Sequence, residues 1–391
     1  MLSLGFAPSF LARTAEAAAG RRRLLVAIFQ RGAVDGLNMV VPYGEAEYYR
    51  LRPGIAIQRP GGTGGAIDLD GFFGLHPVMS PLMPLWNNRS LAIVHASGSP
   101  DATRSHFDAQ DYMETATPGV KSTRDGWLNR VLQTAGADRN PLRGVAVTRQ
   151  MPRALQGRAP SLAVGSVDQF QVRGSMDAQR SLEAIYAGDK VLGGTAADAF
   201  EAMRTLRAAT AGTYRPAAGA SYPRSPLGQA LQEIARVAKA DVGLEIAFAE
   251  SGNWDHHVNE GGVTGQVANR LTDLSQSMAA LAADLGERMA DTVIMTMSEF
   301  GRAVAENGNG GTDHGHGNAM LIAGGPVKGG RVYGRWPGLQ EDQRWEGRDL
   351  AVTTDFREVF SEIAAGHLAT APAALAGVFP GFTTRSPLGI V

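Results

Sequence analysis

The chain has 391 residues, of which 44% are apolar and 19% charged, with a formal net charge of −1. That balance belongs to soluble globular proteins, excludes wholesale disorder, and gives no global pull toward nucleic acid or anionic membrane. Cysteine is absent, so disulfides, thiolate metal sites and cysteine nucleophiles are excluded, and any metal must be held by oxygen and nitrogen.

The length admits one large domain or two or three smaller ones, and neither an internal repeat nor a long linker divides the chain. Residues 1–20 join a short apolar segment to a small-residue run, Ala15 and Ala17 to Ala19, as at the end of an export signal. A frayed amphipathic helix is the alternative. Arg13 and Glu16 interrupt the segment, which is too short to span a bilayer.

Leu24 to Phe29 is an uninterrupted apolar run of strand length, as in a central strand covered on both faces. It leads into RGAVDGLN, which carries Asp35 where open α/β sheets place ligands; an Asx turn is the competing role. Residues 43–90 read as an irregular Pro- and Gly-rich excursion, and His76 within it reads as a packing histidine or a site neighbour. A second strand, Leu91 to Val94, opens into ASGSPDATRSHFDAQDYMETA. Helical periodicity runs from Ser105 to Thr115. Ser105 is either the cap, in a capping box with Asp108, or a nucleophile at a helix N-terminus, with Thr103 as the competing hydroxyl.

From 121 to 243 the pattern is structural: helices over DGWLNRVLQTAG, SLEAIYAGD, AADAFEAMRTLRAATA and PLGQALQEIARVAKAD, with short strands in PLRGVAVT and PSLAVGS. Leu244 to Ala249 is a further strand, followed by Asp255, His256 and His257 in a polar loop. A helix over Gln266 to Leu285 precedes the strand Val293 to Met297. That strand exits through Glu299 into the glycine-rich loop bearing Asp313, His314 and His316. Ala319 to Ala323 reads as a strand, GGPVKGGRVYGRWPG as a hairpin-like connection, and Thr354 to His367 as an amphipathic helix.

Four apolar runs thus end in polar clusters, and in a largely parallel sheet such exits share one edge. Seven of the eight histidines fall in or beside these loops. Asp35, Asp255, His257, Glu299, Asp313, His314 and His316 supply more ligands than one cation requires, so some of them orient others. Two cations roughly 4 Å apart could bind a phosphoryl or sulfuryl oxygen and stabilise the leaving oxygen.

RRRLLVAIFQRGAVDGLN, RSHFDAQDYMET, NWDHHVN and SEFGRAVAENGNGGTDHGHGN together resemble the bacterial family known as domain of unknown function 1501. The resemblance runs from about residue 21 to the C-terminus and implies a single sulfatase-like domain of the alkaline phosphatase superfamily. Its fold would be a three-layer α/β/α sandwich around a mixed, mostly parallel sheet. It also implies twin-arginine export to the periplasm or beyond. By position, Asp35 resembles the aspartate after the first strand and Ser105 the hydroxyl at the helix start. Asp255 and His257 match one metal centre, Glu299 stands where the second usually has an aspartate, and His316 or His314 is the late histidine. Phe300 occupies the place of a second ligand histidine.

The expected activity is metal-dependent hydrolysis of a small-molecule or polysaccharide phosphate or sulfate ester. Ser105 attacks, with His106 beside it and Arg104 or Arg302 clamping the anion. The expected cofactor is one or two divalent ions, zinc first, with calcium, manganese or magnesium as alternatives. A non-catalytic envelope protein that keeps the fold, and a group transferase or mutase, are the alternatives. No nucleic acid and no stable membrane span are expected.

Overall fold

The computed structural model describes residues 22–136, 140–167, 193–384 and 387–391. The segment 1–20 and the helix expected over SLEAIYAGD lie outside the described residues. The strands are β1 (Leu24–Gln30), β2 (Val40–Val41), β3 (Ile67–Asp68), β4 (Gly74–Leu75), β5 (Leu91–Gly98) and β6 (Gly144–Ala146). They continue with β7 (Leu162–Ala163), β8 (Ile246–Ser251), β9 (Thr292–Met297), β10 (Asn318–Gly324), β11 (Arg331–Tyr333) and β12 (Thr354–Asp355). Among the described residues nine form the main sheet, in the order β11-β5-β10-β9-β1-β8-β6-β7 with β12 also on β5. β10 is antiparallel to both of its neighbours, and every other pairing in this sheet is parallel.

The sheet is covered on both faces, and β1 shows why. All seven of its residues are buried, and because strand side chains alternate the run feeds two cores at once. Leu24, Val26 and Ile28 join the core packed by the Pro226–Lys239 and Gln266–Leu285 helices. Leu25, Ala27 and Phe29 join the opposite core, with Trp127, Phe356 and Phe360 from the helices on the other side. Burying each such aliphatic or aromatic side chain contributes about 1.5–3 kcal/mol, which is why an unbroken apolar run is stable only between two helical layers.

Some expectations need correction. GGPVKGGRVYGRWPG is not a hairpin: Arg331–Tyr333 forms the parallel edge strand β11 against β5. The terminal helix is α-helical only over Phe356–Glu362 and widens to a π turn over Ile363–His367. The excursion 43–90 is more ordered than its composition suggests, since β2, β4 and β3 form a small antiparallel sheet there.

His76 and His95 brace this region and are packing residues. His95 donates from Nε2 to the Val40 carbonyl (3.0 Å), and its Nδ1 accepts the Ala96 N–H (2.9 Å). His76 does likewise with the Gly262 carbonyl (3.1 Å) and the Val78 N–H (3.3 Å). With both nitrogens so engaged, neither ring has room for a second proton, and burial lowers each from 6.5 to about 4. The folded state therefore binds fewer protons than the unfolded one between these values. The stability they contribute is complete above about pH 6.5 and is lost as the pH falls toward 4. Urea titrations at pH 7 and pH 5 are expected to differ by about 2 kcal/mol for each histidine, and His95→Gln is expected to remove its share of that difference.

Candidate metal centre

One edge of the sheet gathers the polar loops. The carboxyl ends of β1, β5, β8 and β9 lie there, and antiparallel β10 begins there, which brings the residues preceding Asn318 to the same place. Gly32, just after β1, has φ +112°, and a Cβ on it would lie 2.8 Å from the Asp255 nitrogen. Only glycine lets these two turns touch while its own N–H reaches Glu299 Oε1 at 2.8 Å. The GTDHGHG segment lies backbone to backbone along Gly301–Ala303, with Gly315 N–H bonded to the Gly301 carbonyl (2.8 Å) and Ala303 N–H to that of Asp313 (2.8 Å). A Cβ on Gly315 would come within 2.3 Å of the Arg302 carbonyl carbon, so the glycine between the two histidines is set by this close approach.

Three imidazoles and one carboxylate converge at this edge. His314 Nε2 lies 3.0 Å from His106 Nε2, 3.0 Å from His257 Nε2 and 3.2 Å from Asp255 Oδ1. Asp255 also lies 3.0 Å from His257 Nε2 and 3.3 Å from His106 Nε2. One coordinating atom from each of His106, Asp255 and His314 falls within 4.8 Å of the other two. The outward nitrogens fix the tautomers. His106 Nδ1 faces Glu299 Oε1 (2.9 Å), His257 Nδ1 faces Asp313 Oδ1 (3.2 Å), and His314 Nδ1 faces the Arg104 carbonyl (2.8 Å). Those oxygens only accept, so each Nδ1 carries the hydrogen and each neutral ring turns a bare Nε2 lone pair inward. The His314 lone pair lies at contact distance from those of His106 and His257, and such pairs repel unless a cation or added protons lie between them. Histidines oriented from behind by carboxylates and carbonyls are the usual arrangement at a metal.

The surroundings reinforce this polarity. Glu299 is fully buried; burial pushes its carboxyl up, but bonds from His106, Gln110 and Gly32 hold it below the usual carboxylate range. Asp255 is likewise raised by burial and brought below its usual value by Arg302, His257 and His106. Burial lowers His314, whereas the Glu299 bond raises His106. Phe300 packs its ring 4.9 Å from that of His106 and 5.1 Å from that of His314. Phe300 thus forms an apolar floor that fixes two of the imidazoles.

The other expected residues are placed as follows. Asp35 is buried under the site in a two-pronged ion pair with Arg52 (2.5 and 3.0 Å), beside Glu260, whose carboxyl burial and Asp35 keep well above the usual range. His316 is stacked on Trp345 (4.9 Å) outside the cluster. Glu299 and Asp313 stand behind His106 and His257. Arg104 spends its guanidinium on Asp349 (2.6 Å) and Glu346 (2.8 Å), and its carbonyl positions His314. Arg302 is committed to Asp255 (2.6 Å) and Thr312, so neither arginine presents a free fork to an anion.

Ser105 is the N-cap residue of the His106–Thr115 helix, but its hydroxyl makes no capping bond. Asp108 pairs with Lys121 (2.8 Å), so no capping box closes. Thr103 Oγ1 accepts the Ser105 N–H (3.2 Å), leaving Ser105 exposed with its hydroxyl uncommitted. Gln110 escaped the sequence reading: its Nε2 donates to Glu299 Oε1 (2.8 Å) while Arg31 donates to its Oε1 (3.0 Å). The available signal was spacing, since Gln110 is one turn beyond His106 and on the same helix face.

Residues 72–358 match the family model described as "Protein of unknown function (DUF1501)". No curated protein matches the chain. Among solved structures, it is similar to the PsFucS1 sulfatase from Pseudoalteromonas sp. with 12% identity and a TM-score of 0.36, covering 99% of this chain and 75% of that one.

Proposed function

The chain belongs to the DUF1501 family, and on that premise we propose that it is an exported metal-dependent hydrolase of phosphate or sulfate esters, with residues 21–391 as one alkaline phosphatase-like domain and Ser105 as its nucleophile. The observation that supports the metal is the meeting of three Nε2 lone pairs with the Asp255 carboxylate. Three imidazoles with one carboxylate suit a first-row transition ion such as zinc better than calcium or magnesium. His106, Asp255, His257 and His314 would hold it, and Glu299, Asp313 and the Arg104 carbonyl would keep the rings turned inward. A divalent ion there supplies a Lewis acid to the ester.

The rest is the work of the chain itself. Ser105 presents an uncapped hydroxyl at the start of a ten-residue helix, whose free N–H groups favour an anionic group. Its Oγ attacks phosphorus or sulfur and gives up its proton, the ester oxygen leaves and takes up a proton to become the free alcohol, and water then cleaves the seryl ester, releasing phosphate or sulfate and restoring the hydroxyl. Phe300 closes the floor against water. Among the described residues no helix is long and apolar enough to cross a membrane.

Protein purified without chelator is expected to carry one equivalent of transition metal and to cleave an aryl phosphate or an aryl sulfate. Ser105→Ala is expected to abolish turnover while keeping the metal. Hydrolysis unchanged in Ser105→Ala would overturn the nucleophile. The engagement of Arg104 and Arg302 favours a second reading, a metal-containing binding protein without turnover, and metal without hydrolysis of any ester would select it.

A further inference from the structure

A cavity of about 960 Å³ opens at the carboxyl ends of β6, β7 and β8, against the first two turns of the Pro226–Lys239 helix. It lies on the same sheet edge as the metal centre. Arg31 lines the cavity and connects to His106 through three hydrogen bonds, Arg31 to Gln110, Gln110 to Glu299 and Glu299 to the ring.

The polar groups of this cavity divide into committed and uncommitted ones. Arg31 is paired with Glu250 and Glu114, and Arg153 with Asp111. Arg149, Gln150, Ser166 and Gln232 also line it, and no hydrogen bond or ion pair to a described residue involves their side chains. Two amides and a hydroxyl are donors and acceptors suited to vicinal hydroxyl groups. Among the described residues Arg149 has no acidic partner, and its guanidinium is suited to a carboxylate. Met151 and Ala230 add apolar surface of the kind a sugar ring covers.

We propose that this cavity binds an acidic oligosaccharide, with Arg149 taking a uronate carboxylate and Gln150, Ser166 and Gln232 taking hydroxyls. The proposal rests on the hydrolase reading only in making this ligand the remote part of the substrate, whose reacting ester reaches the metal centre past Arg31. Binding remote groups of a substrate is how an enzyme orients the reacting bond.

The test is calorimetric titration of the whole protein in EDTA with hexagalacturonate, with maltohexaose as the neutral comparison. Gly165 lines the cavity, and a Cβ built on it meets nothing within 4 Å, so Gly165→Trp fills the space without a clash at its own backbone. Wild-type protein is expected to bind hexagalacturonate more tightly than maltohexaose. Gly165→Trp is expected to weaken both. Arg149→Ala, at an exposed position, is expected to weaken hexagalacturonate by about tenfold, the scale of one charge-assisted bond, and to erase the preference. No binding by wild-type protein at millimolar ligand, or equal affinities in wild type and Gly165→Trp, would overturn the proposal. Because the titration is done without metal, a failed hydrolase reading shows separately, as retained binding in a protein that cleaves no ester.

Discussion

Arg52→Ala is expected to destabilise the fold by about 3–5 kcal/mol, the cost of leaving one partner of a buried ion pair alone. Arg52 and Asp35 are both essentially inaccessible to solvent. The guanidinium bonds both Asp35 oxygens, the Asn38 side chain (3.0 Å) and the carbonyls of Ala303 (2.9 Å) and Val304 (2.7 Å). Removing it strands the Asp35 charge and two buried carbonyls, next to a second carboxyl at Glu260. It also frees the turn after Arg302, the residue that holds Asp255. Arg52→Lys is expected to recover only part of the loss, since an ammonium cannot reproduce the two-pronged geometry. The paired replacement Asp35→Leu with Arg52→Met is expected to cost less than Arg52→Ala alone, because it leaves no unpaired charge. Urea denaturation of the four proteins measures this; a cost below about 1 kcal/mol for Arg52→Ala would mean that the pair is not holding the turn.

Arg52 also explains what the sequence did and did not disclose. The buried strands were legible because β1, β8 and β9 are covered on both faces and write themselves as unbroken apolar runs. The meeting of their exits followed from parallel pairing. Asp35 has the position expected of a ligand, and what occupies it is an arginine seventeen residues later, in a stretch whose Pro- and Gly-rich composition gave no pattern. Carboxylates and histidines look alike in a sequence whether they face the centre or stand behind it. Glu299 and Asp313 versus His257 and His314 is a distinction of one ring's depth, set by which nitrogen finds an oxygen behind it. His106 was expected beside the nucleophile, and the helix start turns its Nε2 into the cluster. The short edge strand β11 left no signal because three residues on a sheet edge need no apolar alternation.

The difference between facing the centre and standing behind it also sets the size of the second large effect. His314→Ala is expected to abolish metal binding. His314 supplies the Nε2 that lies within 3.2 Å of three other donors, so without it the remaining groups no longer surround one point. Glu299→Gln changes no inward-facing atom and keeps an oxygen for His106 Nδ1–H, but removes the charge that strengthens that bond. Its expected cost is about 10–100-fold in metal affinity, the usual range for a group orienting a ligand histidine. Asp313→Asn, against an exposed carboxylate, is expected to cost less, because solvent screens it. Competition titrations with a chromogenic chelator, using zinc alone as the probe, rank the three. Equal losses for Glu299→Gln and His314→Ala would place Glu299 on the metal itself. An unchanged affinity in His314→Ala would sink the four-donor centre, because the three contacts that define it all pass through that nitrogen.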